Sequence, residues 1–96
     1  MEVTLLYVDG CPNWRTADER ISALADQLGI TVTRRKVTTS EKAEAVGFGG
    51  SPTILVDGHD PFARGDESVG LSCRVYQTPD GPAGAPTIAQ LRAVLS

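Results

Sequence analysis

Residues 3–8 read VTLLYV, a β-rich and mostly apolar run. A strand with both faces apolar has to be covered on both sides, as in the centre of a sheet. The next residues constrain the chain further. Asp9-Gly10 marks a turn, and Cys11-Pro12 comes directly after it. From Trp14 the apolar positions are Trp14, Ala17, Ile21, Leu24, Ala25 and Leu28, which is helical spacing. Gly29 is placed to stop that helix. Proline suits a first helical turn, where its missing N–H costs nothing, so Cys11 is expected at or next to the helix N-cap.

The rest of the chain repeats the alternation. Residues 30–37 begin as an alternating strand, and residues 40–46 form a short helix with Ser40 as cap and Gly47 as stop. Residues 51–56, SPTILV, are a third strand with proline at its start, where a ladder N–H is dispensable. Asp57-Gly58 turns the chain, and residues 59–70 are polar and irregular. A fourth strand is expected over residues 71–77, ended by Pro79-Asp80-Gly81-Pro82. Thr87 and Gln90 fit a capping box ahead of a last helix, whose buried stripe is Ile88, Leu91, Val94 and Leu95. The order β-α-β-α-β-β-α predicts an α/β fold with a four-stranded mixed sheet and helices on both faces. The two βα units would give parallel neighbours, and the turn at Asp57-Gly58 an antiparallel pair. With 96 residues and no linker or repeat, residues 1–96 are expected to form a single domain.

Net charge is −3 and the pI about 4.9, which argues against nucleic acid as a partner. The basic run Arg34-Arg35-Lys36 lies on a strand, where alternation splits it between two faces. No apolar run approaches the ~20 residues of a membrane span, so no membrane partner is expected. The first residues, MEVTLLYVDG, lack the basic start and cleavage site of a signal peptide, so a cytoplasmic location is expected. Thiols stay reduced there, which favours a chemical or simply buried role for Cys11 and Cys73 over a permanent staple.

Cys11 is the best nucleophile candidate in the chain. It lies at the carboxyl end of the first strand, the edge where α/β sheets place their crevices. It also lies at a helix N-terminus, which favours the thiolate. The alternative is an inert cysteine buried in a turn.

A strand, then Cys-Pro-x-x at a helix start, then Ser-Pro-Thr opening a later strand, resembles the thioredoxin-like family over nearly the whole chain. The resemblance implies a thioredoxin-like fold, a cis bond before Pro52, and a substrate groove formed around Pro12, Trp14, Ser51, Pro52 and Thr53. In that family the proline packs beside the reactive cysteine, and the backbone before it pairs with a substrate strand. The motif departs from C-x-x-C. It reads C-P-N-W, with Trp14 where the resolving thiol would stand. A two-cysteine cycle inside the motif is therefore impossible, which leaves monothiol chemistry with a low-molecular-weight thiol resolving the intermediate, or a site that only binds. Trp14 is either a helix-to-sheet packing residue or a substrate platform.

Cys73 lies in GLSCRVYQT, on the expected fourth strand. It is either a buried strand residue or a resolving or ligand-sharing partner of Cys11. The runs GFGGSPTILVDGHDPFA, SCRVY and GAPTIAQLRAVL are also similar to small thioredoxin-like proteins that carry the label alkylmercury lyase. That similarity implies two accessible thiols. In organomercurial lyases two cysteines capture mercury and an acid protonates the departing carbon. Here Cys11 and Cys73 are 62 residues apart, a comparable spacing. Trp14 occupies the acid position, and the nearest acids are Asp9, Asp18 and Asp57. Cys11, Cys73, His59 and Asp57 are too scattered for a structural zinc site, so no metal is assigned. His59 reads as solvated, Phe62 as a loop anchor, and Asp9 as a turn former or a tuner of Cys11.

The leading expectation is a thiol redox protein, an oxidoreductase if active, forming mixed disulfides through Cys11 with Cys73 or an outside thiol resolving them. Its partners would be protein or small-molecule thiols and disulfides. No cofactor is expected beyond a low-molecular-weight thiol as co-substrate. The alternatives are a non-catalytic thioredoxin-like binding module and an organomercurial lyase using Cys11 and Cys73. Oligomeric state is left open.

Overall fold

A computed structural model describes residues 2–46, 48–63 and 73–95. The elements in chain order are β1 (Glu2–Tyr7), α1 (Asn13–Leu28), β2 (Thr31–Lys36), α2 (Ser40–Val46), β3 (Thr53–Val56), β4 (Tyr76–Thr78), β5 (Gly81–Ala83) and α3 (Ile88–Leu95). The β1 strand is central in a three-stranded sheet of order β2-β1-β3. Alternation sends Val3 and Leu5 to one face, where they join Ala17, Ile21 and Leu24 of α1, Ile54 of β3 and Leu91 and Leu95 of α3. Leu6, and Val8 just past the strand, go to the other face, with Val37, Phe48 and Ala43 of α2. Both faces of β1 are thus covered by helices, as its composition demands.

Local chemistry sets the helix ends. Gly29 closes α1 in the left-handed region at φ 67°, its N–H reaching the Ala25 carbonyl. Thr87 and Gln90 form the reciprocal capping box: Thr87 N–H donates to Gln90 Oε1 at 3.0 Å and Gln90 N–H to Thr87 Oγ1 at 3.1 Å. On α2 the capping hydroxyl is Thr39, which accepts from Lys42 N–H at 3.1 Å, one residue before the expected Ser40. The expected stop at Gly47 lies outside the described residues. In α3, Leu91 and Leu95 are buried, but Ile88 is 44% exposed and so leaves the expected stripe.

The sheet differs from the expected four-stranded one. β1 and β2 are parallel neighbours, but β3 runs antiparallel to β1, with Leu6 opposite Thr53 and Val3 opposite Val56. Helix rise explains this. A seven-residue α2 climbs about 10 Å, against about 20 Å for a six-residue strand, so it does not carry the chain back to the start of the sheet. β3 therefore begins beside the carboxyl end of β1, which brings residues 51–53 next to Val8 and Cys11.

No fourth strand joins this sheet among the described residues. The expected strand reduces to β4, which pairs with β5 in a separate hairpin, and residues 71 and 72 lie outside the described part. The outer edge of β3 is taken at its ends by different segments. Asp57 and Gly58, both at positive φ, fold the chain back so that Val56 and His59 exchange backbone hydrogen bonds of 2.7 and 3.1 Å. At the other end Ser51 forms a single parallel bridge to Cys73. The turn at Pro79-Asp80-Gly81, with Gly81 at φ 104°, then draws β4 onto β5.

The central position of β1 yields a stability prediction. Leu5→Ala opens a cavity between β1, α1 and α3 and is expected to lower unfolding free energy by about 2–5 kcal/mol. Urea titration checks this, with the midpoint falling and the slope unchanged.

Candidate functional site

The site forms where the carboxyl end of β1 meets the start of β3. Val8 N–H donates to Ser51 Oγ at 3.1 Å, which ties the two segments together in the interior. Cys11 N–H closes a turn onto the Val8 carbonyl at 3.4 Å. Cys11 directly precedes Pro12, the N-cap of α1, and no side chain caps that helix. The free amides of its first turn therefore face the cysteine end. The Ser51–Pro52 peptide bond is cis, the isomer the family resemblance implied.

Cys11 and Cys73 are joined by a disulfide, with Cα atoms 5.7 Å apart. The two ends are unlike. Cys11 is 1% exposed, packed among Leu6, Val8, Val37, Ala43 and Phe48. Cys73 is exposed. Cys73 is therefore not the buried strand residue that was one of its two expected placements. Cys11 Sγ lies 3.7 Å from the Ser51 carbonyl oxygen, an acceptor for the thiol hydrogen once the bond is reduced.

The segment carrying Cys73 is anchored by the residues just after it. Arg74 N–H donates to the Ser51 carbonyl at 2.9 Å. The buried Arg74 guanidinium pairs with Asp60 at 2.6 Å, donates to the Phe62 carbonyl at 3.0 Å, and lies 4.6 Å from the centre of the Tyr76 ring. Tyr76 donates its hydroxyl to the Pro52 carbonyl at 2.5 Å and meets Phe62 edge to face. Phe62 is thus an anchor of its loop. Gly50, at φ 112°, makes this approach possible: a Cβ there would lie 3.0 Å from Arg74 Cβ.

Both cysteines line a groove of about 400 Å³, together with Asp9, Lys36, Val37 and Thr38. Asp9 and Lys36 form an ion pair in it. The hydrogen-bonded Asp9 carboxylate holds the Lys36 ammonium above the usual lysine value, so Lys36 stays charged throughout the neutral range. This pair went unread in the sequence. The signal was the parallel register, which sets Tyr7 beside Lys36 and so brings Asp9 to the same end. Arg74 and Tyr76 carried no spacing signal at all.

The five expected groove residues occupy unlike settings. Ser51, Pro52 and Thr53 are buried, and the carbonyls of the first two are already engaged by Arg74 and Tyr76. Thr53 turns its hydroxyl to the Gly50 carbonyl at 2.6 Å. Pro12 is exposed at the helix start. Trp14 stacks on Tyr7 of β1, ring centres 4.2 Å apart, and the Arg15 guanidinium lies 5.6 Å from the Trp14 ring centre. Trp14 thus packs between helix and sheet. Asp57 accepts from Glu2 N–H at 2.8 Å, and Asp18 pairs with Arg34, so neither acid reaches the sulfurs. His59 is exposed beyond the turn. Among the described residues no group of three or more His, Cys, Asp or Glu is placed to hold a metal ion, and no helix is long and apolar enough to cross a membrane.

Removing the carboxylate that anchors this segment has a measurable cost. Asp60→Asn weakens the mostly buried pair with Arg74 and is expected to destabilise the oxidised protein by about 3 kcal/mol in denaturant titration. The same change is expected to make the disulfide easier to reduce, because Cys73 is held less firmly beside Cys11.

Comparison with known proteins finds no matching family, no matching curated protein and no matching solved structure.

Proposed function

We propose that this protein carries out thiol–disulfide exchange through Cys11 and Cys73 as a pair. The observation that supports the reading is their bond beside a small-molecule-sized groove, one cysteine buried and the other exposed. The thioredoxin-like resemblance points the same way. In this reading the missing second cysteine of the C-P-N-W motif is supplied from the segment after β3, so the protein is a two-cysteine system rather than a monothiol one. The reduced pair would pass two electrons to a disulfide and become the bond seen here. A low-molecular-weight thiol would restore it.

A redox role at this position has a thermodynamic consequence. The bond closes a loop spanning 62 residues, for which chain entropy gives on the order of 4 kcal/mol of stabilisation. Reduction is therefore expected to lower the thermal midpoint substantially. Equilibration in glutathione buffers of graded ratio, followed by acid quenching and thiol counting, tests the function. A reversible two-electron transition is expected, lost in both Cys11→Ser and Cys73→Ser. A bond that stays intact at every ratio would mark it as a structural staple.

A second reading draws on one further observation: Asp9 lines the same groove as both cysteines. In the dithiol form the two sulfurs would grip a soft ion, and Asp9 is the acid in reach for protonating a carbon leaving mercury. Its ion pair with Lys36 competes with that role, since the carboxylate is already engaged. Organomercurial lyase activity predicts hydrocarbon release by the reduced protein, abolished in Cys11→Ser and Asp9→Asn. A thioredoxin-like module that only binds would show neither exchange nor release.

A further inference from the structure

The sulfur that meets an incoming thiol is decided by access. A thiolate attacks a disulfide along the S–S axis, from the far side of the sulfur it bonds to. Cys11 borders the groove but is almost closed off: it is 1% exposed and belongs to the buried cluster of Leu6, Val8, Val37, Ala43 and Phe48, with the Ser51 carbonyl 3.7 Å from its Sγ. Cys73 is exposed and lines the groove of about 400 Å³.

Resting on thiol–disulfide exchange as the function, we propose that Cys73, not Cys11, is the residue that forms the mixed disulfide with a small thiol, and that Cys11 is the built-in resolving cysteine. This reverses the order expected from the C-P-N-W motif. The small-thiol class follows from the volume of the groove and from the Asp9–Lys36 pair that borders it.

The step balances without any further reactant. The thiolate of the small thiol bonds to Cys73 Sγ, and the Cys11–Cys73 bond breaks. Cys11 Sγ takes the electron pair and leaves as a thiolate beside the uncapped start of α1, where the helix amides and dipole favour negative charge. It then takes a proton from solvent through the groove that Cys11 borders, and the resulting thiol donates a hydrogen bond to the Ser51 carbonyl. A second small thiolate attacks its twin in the mixed disulfide, which releases Cys73 as a thiolate and the small thiol as its disulfide. In reverse, Cys11 attacks the sulfur of Cys73 and expels the small thiol. The bond from Arg74 N–H to Ser51 and the Arg74–Asp60 pair hold Cys73 in place for that return.

The test uses the oxidised wild-type protein. It is mixed with excess reduced glutathione, quenched in acid at early times so that thiolates are lost, and mapped by peptide mass spectrometry. Glutathione is expected on Cys73 over Cys11 by about tenfold or more, as access controls the attack. Glutathione on Cys11 to an equal or greater extent overturns the assignment of roles while leaving the exchange reading intact. A bond that is never opened, with no thiol released, overturns both.

Discussion

The double-sided burial of β1 is the constraint on which the rest depends. Its six residues include Val3 and Leu5 on one face and Leu6 on the other, so neither face can be left to solvent. One face needs α1 and α3 to cover Val3 and Leu5, and the other needs α2 and Phe48 to cover Leu6 and Val8. Cys11 is delivered into the second of these clusters because it follows β1 by a short turn. Its burial is a consequence of where the strand ends, and its chemistry inherits that burial.

The junction between Ser51 and Arg74 plays the complementary part. One main-chain hydrogen bond and one buried ion pair set the position of Cys73 against a sulfur more than sixty residues earlier in the chain. A resolving thiol inside a Cys-x-x-Cys motif is held by one helical turn. Here the partner of Cys11 is held by tertiary contacts of Arg74 and Tyr76. Trp14, at the position such a motif would use, is instead committed to stacking on Tyr7, which fastens the first turn of α1 to the sheet.

Much of the architecture was legible because it rests on local chemistry. The strand at residues 3–8, the helix from Trp14 to its glycine stop, and the Thr87–Gln90 box all follow from side chains within a few residues of one another. The fourth strand was misread because residues 71–77 have strand-like composition, and pairing depends on which edge is free. Val56 and His59 pair with each other at one end of that edge, and the turn at Gly81 draws Tyr76–Thr78 into a hairpin with β5. Ile88 was misread because a helical stripe shows which residues align, without showing how far the neighbouring element extends.

The sequence by itself determined that Cys11 stands at a strand end before a helix, that no second thiol follows within the turn, and that β1 must be central. Those are matters of order and near-neighbour spacing. Only the tertiary structure decided that Cys73 meets Cys11, that Cys11 is the buried residue and Cys73 the exposed one, and that Asp9 and Lys36 border them. Those depend on long-range register and on the packing around Phe48 and Arg74, which spacing along a chain does not encode.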